Sequence, residues 1–195
     1  MRFLSVFAAT LFFATAAQAH SGGATAGGLA YGFLHPLGGL DHILAMLGVG
    51  LLGYVLGGRA LWLVPASFVV MMAAGGGLAL AGVSIPFVEL GIALSVVVIG
   101  GALAFGSSIP VAAAMVLAGG FAVFHGHAHG SEMPLAASGL TYGLGFIVAT
   151  ALLHGAGLGL GFGLNRFASA AGTKLVRAGG ALLGLSGLGL LTGVL

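Results

Sequence analysis

From Arg59 to Glu89, from Glu89 to Glu132 and from Glu132 to Arg166, the chain carries no Asp, Glu, Lys or Arg between the named residues. Each interval is longer than the roughly 20 apolar residues that one membrane-spanning helix requires. The whole chain of 195 residues has only five basic and three acidic side chains, and 59% of it is hydrophobic. A soluble domain carries about a quarter charged residues, so a soluble globular fold is excluded. Disorder is excluded as well, because disordered segments are polar and charged. A net charge of +2 forms no basic patch, which leaves no nucleic acid to bind. With no cysteine there is no disulfide, thiolate metal site or catalytic thiol. The fold class expected is all-α, a polytopic helix bundle in a lipid bilayer.

The N-terminus reads as a targeting segment. Met1-Arg2 is a short positive start, an apolar stretch runs from Phe3 to about Ala14, and Ala17-Gln18-Ala19 is a small-residue cleavage motif. This layout predicts a signal peptide over 1–19 and a mature chain, 20–195, that begins at His20 outside the cytoplasm. The remainder divides into six spans, about 40–58, 61–81, 86–105, 110–128, 136–160 and 175–194. The first is open to extension back to Gly27, with backbone loosened at Pro36, Gly38 and Gly39. Gly57-Gly58-Arg59, Pro86, Pro110 and Pro134 supply the punctuation. With the mature N-terminus outside, Arg59, Arg166, Lys174 and Arg177 all fall in cytoplasmic loops, as the positive-inside rule requires. The predicted location is the bacterial cytoplasmic membrane, with a periplasmic N-terminus.

The 39 glycines sit within the apolar spans and read as packing residues. Gly53/Gly57, Gly155/Gly159/Gly163 and Gly180/Gly184 have the small-xxx-small spacing that lets helices approach closely. A homo-oligomer is compatible with such surfaces. Gly38 and Gly39 are candidates for exposing backbone carbonyls to a pathway.

Ionisable groups in a bilayer are expensive and mark function. On this topology His20, His35, Asp41, His42, Glu89, His125, His127, His129 and Glu132 gather at the outer ends of spans, and His154 alone falls deeper. If the first cluster is helical, His35, His42 and Met46 form one stripe. Asp41 then either ligates from another angle or fixes an imidazole tautomer. In the second cluster His125, His129 and Glu132 share a helical face, whereas an extended chain would align the three histidines. Imidazole and carboxylate suit nickel, cobalt, zinc and similar divalent ions. The metal-site residues expected are His20, His35, Asp41, His42, Met46, Glu89, His125, His129 and Glu132. His20, as a free N-terminus, would add an amine to its imidazole. No Walker loop, nucleophile elbow, dinucleotide fingerprint or H-E-x-x-H helix occurs, so neither an enzyme nor a catalytic cofactor is expected.

At these clusters the chain resembles the HupE/UreJ family of small bacterial membrane proteins. The signature H-P-x-x-G-x-D-H-x-x-x-M-x-x-V-G is matched by His35-Pro36, Gly38 or Gly39, Asp41-His42, Met46 and Val49-Gly50. A second signature, F-H-G-x-A-H-G-x-E-x-P, is matched from Phe124 to Pro134. The resemblance implies a nickel permease, cobalt in some relatives, that supplies hydrogenase or urease assembly. It also implies metal-pathway roles for His35, Asp41, His42, Phe68, Glu89, His129 and Glu132. A membrane metalloenzyme and a non-transporting metal-binding accessory protein are the two other readings of the same residues.

Overall fold

The computed structural model describes residues 24–106, 109–168 and 171–195. The signal peptide, its cleavage point and His20 lie outside the described residues. Helices α1 (Ala24–Leu34), α2 (Leu40–Leu56), α3 (Ala60–Leu80), α4 (Val88–Phe105), α5 (Val111–Ser131), α6 (Gly139–Ala168) and α7 (Gly172–Thr192) make up the fold, with a 3-10 turn at His35–Leu37. Helices α3 to α7 are each long and apolar enough to cross a membrane. α1 with the 3-10 turn and α2 qualify together as one broken span, bent by 80°. The described residues thus form an all-helical bundle with five or six candidate spans, in keeping with the fold class read from composition.

The bend has local causes. Pro36 has no N–H to continue α1, Gly38 closes back onto the His35 carbonyl at 3.0 Å, and Gly39 is extended (φ −106°, ψ 124°) as it starts α2. A continuous helical stripe of His35, His42 and Met46 therefore does not form, because His35 sits on the other side of the elbow. The Gly39 carbonyl is not free for a pathway, since it accepts the Ile43 N–H at 3.1 Å. Further along, Gly57 and Gly106 take positive φ to end α2 and α4, which glycine does without a Cβ penalty, and Gly106 forms a left-handed cap.

α3 packs along α5, α4 along α7, and α6 against both α1 and α2. Backbones touch at glycine. A Cβ on Gly126 would overlap the Met72 carbonyl, one on Gly157 the Leu47 carbonyl, and one on Gly100 the Gly184 backbone. The expected small-residue motifs behave differently from one another. Gly53 and Gly180 do pack, whereas Gly155, Gly159 and Gly163 have nothing within 4 Å and face away from the bundle. Gly157 and Gly161, on the opposite side of α6, make its close contacts instead.

Val49, Leu52, Val64, Phe68, Ile99 and Leu103 form a fully buried apolar core at mid-bundle. Met46 belongs to that core. The core separates two ends of opposite character. One gathers His35, Asp41, His42, Glu89, His129 and Glu132 around an open cavity. The other carries Arg177 and Asn165 beside Tyr54 and Thr173 around a cavity of about 510 Å³.

Candidate metal centre

The C-terminal half of α5 is helical through Ser131, so His125 and His129, four residues apart, fall on one face. Glu132 caps the helix, its N–H on the Ala128 carbonyl at 3.0 Å. Of the two arrangements open to this segment, the helical one is observed. His127 turns elsewhere: its Nε2 lies 2.8 Å from the Val83 carbonyl oxygen in the α3–α4 loop, to which it donates. It ties a loop down and does not join the other histidines.

The elbow brings the first cluster onto this face. His35 Nε2 is 2.8 Å from Glu132 Oε2, and a ligand atom from each of His35, His129 and Glu132 lies within 4.8 Å of the other two. His42 comes from the first turn of α2, and its ring meets those of His129 and His125 edge-on, at 4.2 Å and 4.8 Å between centres. His35, His42 and His129 thus line one cavity of about 540 Å³, with His42 outside the three-residue group. Glu89 lines the same cavity from the first turn of α4, exposed and outside the three-residue group. Met46 does not reach the cavity.

The hydrogen bonds determine where protons sit. Asp41 Oδ1 is 2.7 Å from His42 Nδ1, and an ionised carboxylate only accepts. His42 therefore carries its proton on Nδ1 and keeps a lone pair on Nε2, which is buried without a partner. Of the two roles open to Asp41, orienting an imidazole is the one this contact performs. His125 is arranged in the reverse sense. Ser95 donates its single proton to the Ile92 carbonyl at 2.6 Å, so across the 2.9 Å contact His125 Nε2 must be the donor. The His125 lone pair is then on Nδ1, also buried and unpartnered. His129 is 3% exposed, and neither of its ring nitrogens has a partner.

Each unmet buried polar atom costs ~1–3 kcal/mol. Four such nitrogens, His42 Nε2, His125 Nδ1 and both of His129, lie on rings whose neighbouring centres are 4.2–4.8 Å apart, which makes them candidate ligands for a cation. A ligating histidine whose other nitrogen is fixed by a carboxylate or hydroxyl is the usual second layer of such a site. Imidazole and carboxylate together are candidate ligands for a first-row dication.

Ser95 was not anticipated from the sequence. It is the only hydroxyl in α4, which was a usable signal, but its partner lies 30 residues away. The rings of Tyr142 and Phe146 on α6, 5.9 Å from His35 and 3.9 Å from His129, wall the site and were also not anticipated.

Residues 8–190 match the family model described as HupE / UreJ protein. The chain is 44% identical over 185 residues to a protein named Protein HupE from Rhizobium leguminosarum bv. viciae, covering 95% of each sequence. No solved structure matches. With the family match running from before α1 into the last turn of α7 and the curated relative aligned nearly end to end, the chain belongs to the HupE/UreJ family.

Proposed function

We infer that the protein is an uptake permease for a divalent transition-metal ion in the bacterial cytoplasmic membrane, with nickel as the cargo and cobalt its closest competitor. The observation that carries this reading is the convergence of His35, His42, His129 and Glu132 at one end of a membrane bundle, with unpartnered imidazole lone pairs beneath an open cavity. The basic residues supply direction. Arg59 precedes α3, Arg166 ends α6, and Lys174 and Arg177 start α7, so by the positive-inside rule that end is cytoplasmic and the histidine end periplasmic. Membership of the HupE/UreJ family supports a supply role in hydrogenase or urease assembly.

The driving force needs no nucleotide. A dication entering at a potential of about 100 mV gains roughly 4.6 kcal/mol, twice the ~2.3 per charge. At 1.4 kcal/mol per decade that sustains accumulation of roughly three orders of magnitude. The test is flux. Purified protein in liposomes with an inside-negative diffusion potential accumulates radioactive nickel, and cobalt competes at similar concentration. Tight binding without flux would instead identify a metal-holding accessory protein, and turnover of a substrate by a retained ion a metalloenzyme.

A further inference from the structure

Below the outer centre lies a histidine that the centre does not use. His154 is 2% exposed, and neither of its ring nitrogens has a hydrogen-bond partner. Packing does not call for an imidazole there, since an apolar side chain of similar volume would fill the space without leaving polar atoms unmet.

We propose that His154 is an inner station for the transported dication, which reaches it from His125 past the ring of Phe68. The proposal rests on the permease reading above. α6 carries Tyr142, Phe146, Thr150 and His154 at four-residue spacing, which puts them on one face. Level by level that face accompanies the histidines downward. The Tyr142 ring is 5.9 Å from His35, Phe146 3.9 Å from His129, and His154 5.1 Å from Phe68. From Tyr142 to His154 the rise is roughly 18 Å at ~1.5 Å per residue, more than half of a hydrocarbon layer about 30 Å thick.

Phe68 bridges the last gap, its ring 5.4 Å from His125 and 5.1 Å from His154. Aromatic faces attract cations, and imidazole nitrogen suits borderline first-row dications. The transfer is a ligand exchange: His125 Nδ1 releases the ion and the unprotonated nitrogen of His154 takes it. No covalent bond in the protein changes and no proton moves.

The experiment compares wild type with His154→Leu and His154→Cys. Nickel flux is measured in proteoliposomes, and nickel affinity and thermal stability in detergent. His154→Leu should keep the wild-type affinity, unfold at the same or a higher temperature, and lose at least about tenfold in flux, the scale of a lost metal-site partner. His154→Cys returns a ligand atom and should recover most of the flux. If His154→Leu transports at the wild-type rate, the inner station is overturned while the outer centre stands. Flux loss that cysteine does not restore, with lowered thermal stability, also overturns it by making His154 structural. Should His154→Leu fail to insert, His154→Gln is judged by the same criteria. A wild-type protein that binds nickel but passes none defeats the permease reading, and the inner station with it.

Discussion

Gly39→Ala adds one methyl group and removes no ligand, yet it should cripple uptake. The backbone at Gly39 (φ −106°, ψ 124°) is extended, a conformation alanine adopts freely. The cost is therefore steric alone. The new Cβ would lie 2.6 Å from Asp41 Oδ1 and 2.9 Å from His42 Nδ1, well inside the 3.5–4.0 Å of a relaxed heavy-atom contact. Both neighbours are side chains and can swing aside, so the fold survives, but their 2.7 Å hydrogen bond does not. Losing the partner that orients a ligating histidine costs about 10–100-fold in metal affinity, or roughly 1.4–2.7 kcal/mol. The assay is nickel uptake against concentration in proteoliposomes, normalised to inserted protein, where KM should rise by that factor. Gly38→Ala is the control, because its Cβ meets only the His35 carbonyl, at 3.3 Å. A Gly39→Ala protein with wild-type KM would refute the role assigned to the Asp41–His42 pair.

Glu132→Gln keeps the shape of the outer group but removes its anion, and should raise the KM for nickel about tenfold with little change in maximal rate, as measured by the same flux assay. His127→Ala removes the bond to the Val83 carbonyl and should cost about 0.5–1.5 kcal/mol of stability, seen as a lower Tm in detergent, while nickel affinity is retained. Gly126→Ala forces a methyl onto the Met72 carbonyl across the α3–α5 contact and should destabilise by about 1–3 kcal/mol, whereas Gly159→Ala, with open space around it, should leave Tm unchanged.

What the sequence made legible follows from the range of each signal. Eight fixed charges in 195 residues leave no fold but a membrane bundle, and Pro36, Gly38 and Gly39 announce a break in the first span. The break does not announce its angle. Only the 80° bend shows how His35 and His42 can leave one stripe and still both stand against His129. Small-residue spacing has a similar blind spot, for it specifies a stripe and not what the stripe faces. Gly155 and Gly157 differ by two positions, about 200° around a helix of 3.6 residues per turn. One looks outward and the other meets the Leu47 carbonyl. Met46 reads as a ligand because it follows His42 by one turn, but one turn along α2 already leads from the polar cavity into the apolar core.

The depth of the histidine column answers an energetic difficulty. An unpaired ion stripped of water costs tens of kcal/mol in a medium as apolar as this core, against the roughly 4.6 kcal/mol that the membrane potential supplies to a dication. The potential can bias a crossing but cannot force one through bare hydrocarbon. On the permease reading donors must replace water at every step, and His35, His129, His42 and His125 would provide a succession whose neighbouring rings lie 4.2–4.8 Å apart. Neutral imidazoles suit the task better than carboxylates, since a fixed anion at mid-membrane would hold the ion too tightly to release it. The carboxylates of Glu132 and Glu89 are exposed at the histidine end, where on the same reading they would concentrate cations before the first exchange. Toward the basic end the order reverses. The fully buried side chains of Val49, Leu52, Ile99 and Leu103 offer no donor there. On the permease reading, release of the ion requires these side chains to part, and that opening, not capture at the outer centre, should limit the rate at saturating metal.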